Sequence, residues 1–400
     1  MTAPLAGIRV VEAANWLAAP SAAAMMRDLG ADVIKVEPPE GDAWRHNVLG
    51  LDFEHNYPFE LDNRGKRSIA LALDKPGGAA LLRRLVATAD IFITNLMQPR
   101  RERYGLTVEE LRAADPGLIY VSFSGYGTTG PDAGRPGFDY TAFWARSGIW
   151  ALMGDVSGPP AMPRGGQGDH VTALNLLAAT LVALRLKEQT GEGQTVEVTL
   201  QRSGIWTIGV DVSVAAVTRQ QPDRFDHLHM PNPITNEYET RDGRWLMLIM
   251  PAADMYWQRF CRMIGREEWI TDPRYAETLT RREHGATLTP QVREIFLQAD
   301  LATWAERLDE AGLIWGPAAE LPEVLEDPQL REVGTFETIR HPDPAVGAFE
   351  TLATPFTVDG ADIAVRGPAP EIGQHTQEVL DELSVDVEEI ADLAAEGVFG

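Results

Sequence analysis

The sequence predicts an α/β fold, with a doubly wound opening domain followed by a smaller α+β domain. Three observations carry this reading. Short β-rich runs alternate with helix-forming segments through the first 122 residues, the pattern that assembles a parallel sheet from βαβ units. A glycine-rich loop, Arg164-Gly165-Gly166-Gln167-Gly168-Asp169-His170, then runs straight into the apolar segment Val171 to Leu186. Beyond residue 220 the texture changes, with Pro222, Pro231 and Pro233 marking an extended linker before hairpin and helix patterns.

In chain order, Ile8 to Ala13 reads as a strand, Ser21 to Leu29 as a helix and Val33 to Glu37 as the next strand. Ser68 to Leu73, Ile91 to Thr94 and Leu118 to Ser122 continue the sheet, with helices over Pro76 to Ala89 and Val108 to Ala114. Pro76 suits a first helical turn because its missing N–H would have no partner there. The apolar helix from Val171 ends at Thr190-Gly191, and Thr195 to Leu200 supplies another strand. In the second domain, Asn236 to Met250 contains the hairpin turn Thr240-Arg241-Asp242-Gly243-Arg244, followed by helices over Met255 to Ile264, Pro290 to Gln298 and Leu301 to Ala311. The last apolar stripe, Val379, Leu380, Leu383, Val387, Ile390 and Leu393, has an interrupted helical spacing and needs a surface to cover.

Composition narrows the function classes. With 35 basic against 59 acidic residues the net charge is −24, which disfavours nucleic acid and anionic membranes as partners. No apolar run of about 18 residues and no signal-peptide pattern is present, so the expected location is the cytoplasm. Cys261 is the one cysteine; it excludes a disulfide framework and reads as a buried structural thiol. His227 and His229 have strand-like spacing but no acidic or histidine partner at ligand spacing, so no metal is expected. The turn after the first strand, Ala14-Asn15-Trp16-Leu17-Ala18-Ala19-Pro20, lacks the glycines that admit a dinucleotide pyrophosphate, which disfavours redox cofactors.

The candidate chemistry lies at Asp169. Glycines let the backbone turn sharply towards a ligand, and the helix start delivers a carboxylate to a crevice; N-capping the helix would also account for this residue. Two basic groups punctuate the first domain: Arg64, Lys66 and Arg67 before the third strand, and Arg100, Arg101 and Arg103 after the fourth. The second group stands beyond the carboxyl end of a strand, where open α/β sheets bind ligands, and phosphates are the natural guess; a solvated charged surface is the other reading. Asn95, at the same strand end, has a side chain able to add a directional hydrogen bond.

Laid out this way, the chain resembles the family III CoA-transferases, a group that includes formyl-CoA:oxalate and carnitine CoA-transferases and is related to α-methylacyl-CoA racemases. The resembling segments include Leu5 to Glu12, Gly30 to Pro39, Asn63 to Ser68, Thr190 to Gln194, Trp257 to Cys261, Ala311 to Pro317 and Gly373 to Thr376. The resemblance implies a Rossmann-like large domain formed by both chain ends, a small middle domain and an interlocked homodimer. On that basis residues 1–220 form the large domain, 221–235 a linker, 236–330 the small domain, and 331–400 a return linker with a C-terminal segment packing on the large domain.

The resemblance also puts the family's catalytic aspartate on Asp169. It implies attack on an acyl-CoA to give an aspartyl anhydride, then an aspartyl-CoA thioester that the acceptor acid opens, with coenzyme A as substrate and product and no permanently bound cofactor. The helix N-terminus is expected to help keep Asp169 ionised. Lys75, Asn95 and Arg103 are expected to hold CoA, whose phosphates and adenine lie far from the reacting carbonyl and supply positioning energy. Asn15, Trp16 and Leu17 replace a stretch that carries an assisting glutamine in some relatives and suggest an apolar acyl pocket; Tyr140 and Gly168 complete the expected site. Met250-Pro251-Ala252-Ala253-Asp254, which corresponds to a covering loop rich in glycine in some members, has none. Racemases of the superfamily carry a Gly-His-Asp motif where this chain reads Gly137-Phe138-Asp139. Phenylalanine transfers no proton and its ordinary role is core packing, so transfer is favoured over α-epimerisation. An idle acyl-CoA binding protein is the remaining alternative, and it would have no use for Asp169.

Overall fold

The computed structural model describes residues 2–46 and 55–399. The chain divides into two compact units. The first comprises Met1–Trp150, Pro163–Arg219 and Gln329–Gly400, and the second Ala151–Met162 and Gln220–Pro328.

The first unit is built on a parallel sheet of β1 (Arg9–Ala13), β2 (Asp32–Glu37), β3 (Arg67–Ala70), β4 (Ile91–Thr94), β5 (Ile119–Ser124) and β6 (Thr195–Thr199), in the spatial order β3-β2-β1-β4-β5-β6. Val10 pairs with Val33 on one side and Ile91 on the other, and these central strands are mostly apolar, as buried parallel strands usually are, with Glu12 and Lys35 among the buried charged exceptions. The crossovers are α1 (Ala18–Asp28), α2 (Tyr57–Asn63), α3 (Pro76–Val86), α4 (Gln98–Tyr104) and α5 (Val108–Ala114). Pro76 occupies the first turn of α3, Gly105 closes α4 in the left-handed region at φ 67°, and Thr107 and Glu110 form a capping box on α5. Neither α2 nor α4 was expected from the sequence.

Val11, Ile34, Ile69, Phe92 and Tyr120 form a common core with Leu82 and Leu85 of α3 and with the C-terminal Val379, Leu380, Leu393 and Val398. The interrupted C-terminal stripe is two helices, Thr376–Glu382 and Val387–Glu396, with a break at Ser384, whose φ is +53°. Arg67 ties the first of them to β2 through Glu382 and Glu378, each at 2.7 Å, and Asp32 at 2.6 Å. In the return segment, β10 (Phe336–Arg340) pairs antiparallel with β11 (Ala348–Leu352). The long helix spans Gln167–Thr190 and stops at the left-handed Gly191. It meets the length and hydropathy of a membrane span, yet Thr172, Leu176, Leu177 and Thr180 along one side are packed within the unit.

The second unit carries the expected hairpin, β7 (Thr235–Glu239) and β8 (Trp245–Ile249), extended by a strand not expected from the sequence, β9 (Trp315–Pro317). Its longer helices are Ala253–Met263, Gly285–Phe296 and Leu301–Glu310; the second starts five residues before Pro290, which lies inside it. Tyr238 stacks on Phe296 at 4.8 Å in a core that also holds Trp257, Cys261 and Trp304. Burial pushes the Cys261 thiol up to about 12, which makes it inert. His227 Nδ1 lies 2.6 Å from Asp155 Oδ2, and His229 pairs with Asp226.

Charged side chains occupy the heart of the first unit. Lys35 Nζ on β2 donates to Glu12 Oε1 at 3.0 Å, Asp42 Oδ2 at 2.8 Å and the Ala14 carbonyl at 3.1 Å. Lys66 Nζ donates to Glu12 Oε2 at 2.6 Å and to the oxygens of Pro20, Asp62 and Asn63. All four charged side chains are fully buried. Burial opposes charge on both lysines; Glu12 and Asp42 nevertheless hold Lys35 above its ordinary value, whereas Lys66, with one shared carboxylate, falls to about 8. Removing one partner of such a group leaves a buried charge uncompensated. Lys35→Ala is therefore expected to lower the stability of the first unit by roughly 3–5 kcal/mol in urea unfolding. Arg185→Ala, which breaks only the exposed pair with Glu188, is expected to change it by less than about 1 kcal/mol.

Candidate active site

Gly166, at φ +86°, is the residue that caps the long helix, so Gln167 and Gly168 open the first turn and Asp169 lies inside it. The capping reading of Asp169 is thereby corrected: a left-handed glycine takes the cap, and the carboxylate is left without a hydrogen bond among the described residues. Asp139 restrains the turn instead. Its Oδ2 accepts the Gly166 N–H at 2.6 Å, and a Cβ on Gly168 would overlap Asp139 Oδ1 and the Phe143 ring. Gly168 is thus required for the helix to approach Asp139.

Asp139 belongs to a wide helical turn, Asp139–Ala145, that follows Phe138. Burial pushes its carboxyl up, against the N–H groups of Gly166 and Gly168 and the Trp144 ring, which favour the anion. Phe138 is not a core residue. It is 55% exposed, and its ring meets the edge of Trp16 at 5.4 Å. Tyr140 packs its hydroxyl against Gly165, and Leu17 lies against Gly166.

Asp169 is partly buried, and its carboxyl is pushed up to about 7 by burial first and then by the Asp139 and Asp62 carboxylates, with His170 opposing. The expectation that the helix N-terminus holds it ionised at neutral pH is overturned in magnitude. The terminus contributes about 0.3–1 kcal/mol, while the displacement corresponds to about 4 kcal/mol at ~1.4 per pH decade. His170 Nε2 lies 3.0 Å from Asp62 Oδ1. Asp62 is 1% exposed and also accepts from Ser21 Oγ at 2.6 Å and Trp44 Nε1 at 3.0 Å.

The loop between β1 and α1 brings three expected residues to this place. Trp16 adopts φ +71°, a left-handed conformation costly for a bulky side chain. Its N–H donates to Asp42 Oδ1 at 3.2 Å, and Asp42 is itself held by Lys35. Asn15 and Asn95 bond reciprocally: the Asn15 N–H donates to Asn95 Oδ1 at 3.2 Å, and Asn95 Nδ2 donates to the Asn15 carbonyl at 2.8 Å. They bridge β1 and β4, where the strand order reverses, the position at which open α/β sheets bind ligands. A cavity of about 470 Å³ opens there, lined by Asn15, Trp16, Asn95, Arg100, Arg101, Arg135 and Phe138 among others.

The basic groups separate. Arg64 is bound to Asp28, Lys66 is in the buried network, and Arg67 joins Asp32 and the C-terminal helix, so that cluster is neither an anion site nor a solvated surface. Arg101 is buried and donates to Ser122 Oγ at 3.2 Å. Arg103 is exposed and lines a different cavity, of about 530 Å³, with Arg83, Glu102 and Glu110. Lys75 stands at the N-cap of α3. Neither lines the switch-point cavity. Arg100, of the basic group expected after the fourth strand, does line the switch-point cavity, and Asp62, Asp139 and His170 are the neighbours of Asp169 to which the sequence assigned no role. Elsewhere, His55, Glu60 and His341 are the one group of three possible metal ligands among the described residues. His341 Nδ1 accepts the Asp343 N–H at 3.1 Å, which leaves Nε2 as the protonated, non-ligating nitrogen.

The model of CoA-transferase family III matches residues 5–376. The chain is 34% identical to the (R)-2-hydroxy-4-methylpentanoate CoA-transferase of Clostridioides difficile, over 96% of this chain and 97% of that protein. It is 30% identical to the cinnamoyl-CoA:phenyllactate CoA-transferase of Clostridium sporogenes, over 97% and 95%. The crystal structure of a CAIB/BAIF family protein from Brucella suis matches with a TM-score of 0.85 at 30% identity, covering 96% of this chain and all of that one.

The elevated Asp169 carboxyl has a consequence for stability. The folded chain keeps a proton there up to about pH 7, whereas the unfolded chain releases it near 3.9. The native state therefore loses stability as pH rises from about 4 through 7. Asp169→Asn is expected to be more stable than the wild type at pH 8, by roughly 1–4 kcal/mol. In urea melts taken across this range, that gain should vanish near pH 4.

Proposed function

The chain belongs to the family III CoA-transferases, and from that premise we propose that it moves CoA from an acyl-CoA to a carboxylic acid through covalent intermediates on Asp169. The observation that carries this reading is a carboxylate with no hydrogen-bond partner among the described residues, in the first turn of a helix whose capping Gly166 meets Leu17 of the loop after β1. A carboxylate with a raised pKa is the more basic nucleophile, and a thioester carbonyl is electrophilic enough to receive it.

In the proposed sequence an Asp169 oxygen adds to the thioester carbonyl, the C–S bond breaks, and CoA leaves as thiolate. The thiolate then attacks the Asp169 carbonyl of the mixed anhydride, releasing the donor carboxylate and forming an aspartyl-CoA thioester. The acceptor carboxylate attacks that thioester, and the returning thiolate takes the new acyl group and frees Asp169. No net proton is consumed. Asn95, Lys75 and Arg103, joined by Arg100 in the crevice, are proposed to hold the CoA moiety. Trp16, Leu17 and Phe138 favour an acyl group with an apolar side chain.

We also propose a homodimer. The helix Gly209–Thr218 buries none of its residues within the chain, and Trp206, Val210 and Val217 are each more than 80% exposed, an apolar surface of the kind that a second copy covers. In analytical ultracentrifugation the protein should sediment as a dimer that resists dilution, as an interlocked pair would; a monomer at all concentrations would refute this.

The activity is tested by incubating the protein in deuterated water with 4-methylpentanoyl-CoA, cinnamoyl-CoA or a chiral 2-methylacyl-CoA and a panel of free acids including 2-hydroxy-4-methylpentanoate. Mass spectrometry should show CoA exchange without deuterium at the α-carbon, and Asp169→Asn should lower the rate by at least about 10³. Turnover by a folded Asp169→Asn would exclude the nucleophile, and rapid deuterium uptake without transfer would favour an epimerase.

A further inference from the structure

We propose that His170, clamped by the buried Asp62 carboxylate, is the fixed cation that offsets the surrounding carboxylates in favour of the nucleophilic anion of the neighbouring Asp169. The inference rests on Asp169 being the nucleophile proposed above and gives the residue after it a task of its own.

The hydrogen-bond pattern assigns the protons. Asp62 receives the Ser21 hydroxyl and His170 on Oδ1 and the Trp44 ring N–H on Oδ2, and its side chain is 1% exposed. The Ser21 hydroxyl and the Trp44 ring N–H already donate to Asp62, one to each oxygen, an arrangement that suits the carboxylate; facing a carboxylate oxygen, His170 Nε2 is assigned the proton, which leaves Nδ1 free to take a second. A carboxylate on one ring nitrogen fixes the imidazole's orientation and favours its doubly protonated form. Each element packed around the ring is accounted for. The α2 helix supplies Asp62, the long helix supplies Asp169 and the wide turn supplies Asp139. Arg64 lines a small cavity of about 180 Å³ beside the ring but is engaged by Asp28 and the Leu61 carbonyl, and the rest of that wall, Ser21 and Met25 of α1, Leu61, Ala173 and Leu174, with Leu352, Ala353 and Pro355, carries no charge. Burial pulls His170 down, but the three carboxylates outweigh it and its pKa is raised.

The reaction itself gives the imidazole no proton to move, because thioester and carboxylate exchange without net proton transfer. What the site lacks is positive charge. Asp62, Asp139 and Asp169 converge on one helical turn, and a substrate carboxylate or CoA thiolate adds to them. Of the charged groups that bear on Asp169, His170 is the one that favours its anion. His170 is therefore a positioning residue for charge, acting through Asp169 rather than on the substrate.

The test reads the exchange of ¹³C-labelled 4-methylpentanoate into 4-methylpentanoyl-CoA between pH 5.5 and 9. The wild-type rate should fall as pH drops through about 7, where Asp169 takes a proton. In His170→Gln, which loses the cation and keeps an amide donor for Asp62, that acidic limb should move up by roughly one pH unit, and the rate should approach wild type at the alkaline end. His170→Arg restores a cation next to Asp62 and should return the limb towards its original position. If His170→Gln folds poorly by circular dichroism, His170→Asn takes its place. A rate lowered equally at every pH, with the limb unmoved, assigns His170 a structural role and overturns the inference. Asp169→Asn separates the two failures: if it retains turnover, the nucleophile reading falls, whereas if it is inactive and the limb stays in place, only the His170 assignment falls.

Discussion

The first unit depends on two lysines that never meet solvent. Lys35 and Lys66 both bind Glu12, from opposite oxygens, and in doing so join β2 and the end of α2 to the central strand. A pair of this kind is not a source of net stability, since desolvation offsets most of its attraction. Its value is geometric. Lys35 also takes the Ala14 carbonyl and Asp42, whose second oxygen receives the backbone N–H groups of Trp16 and Trp44. Lys66 takes the carbonyls of Pro20 and Asp62. The loop that presents Asn15, Trp16 and Leu17 and the helix that presents Asp62 are thus referenced to one buried point, and the left-handed Trp16 is held where a freer backbone would relax.

The parts of the fold legible in the sequence were those whose burial is apolar. Ile91 to Thr94 and Val108 to Ala114 emerge with the bounds their patterns suggest, because each is a short apolar run or amphipathic turn bounded by a breaker or cap. The missed elements bury polar groups. The helix Tyr57–Asn63 turns Glu60 and Asp62 inward, and Gln98–Tyr104 turns Arg101 inward; charged residues ordinarily read as surface, so neither helix has a periodicity to find. The strand Trp315–Pro317 is three residues long, contains glycine and proline, and sits at a sheet edge, where such a strand is tolerated and invisible to pattern.

At the candidate site, the place of Asp169 at the head of the long helix was legible from the glycine-rich loop and its environment was not. Spacing put Asp169 at a helix start, but the left-handed Gly166 moves the cap three residues earlier and leaves the carboxylate inside the turn. Asp62 lies 108 positions from its partner His170 and Asp139 lies 27 from Gly166, and no local rule connects residues that distant. Phe138 reads as core and stands half in solvent against Trp16 because the strained loop brings an indole out to meet it. A turn that gathers three carboxylates is locally inconsistent with stability, which is where functional sites are commonly found.

The first unit draws on three separated stretches of chain, and its central core includes Val379, Leu380, Leu393 and Val398 from the last of them. At ribosomal rates of roughly 5–20 residues per second, about 8 to 36 seconds separate the emergence of Arg219 from that of these residues. Throughout that interval the core shared by α3 and the sheet lacks its C-terminal members, while residues 220–328 hold a core of their own. The middle of the polypeptide is thus free to fold before its beginning does, and the nascent chain's exposure to chaperones and proteases is set by its final two helices.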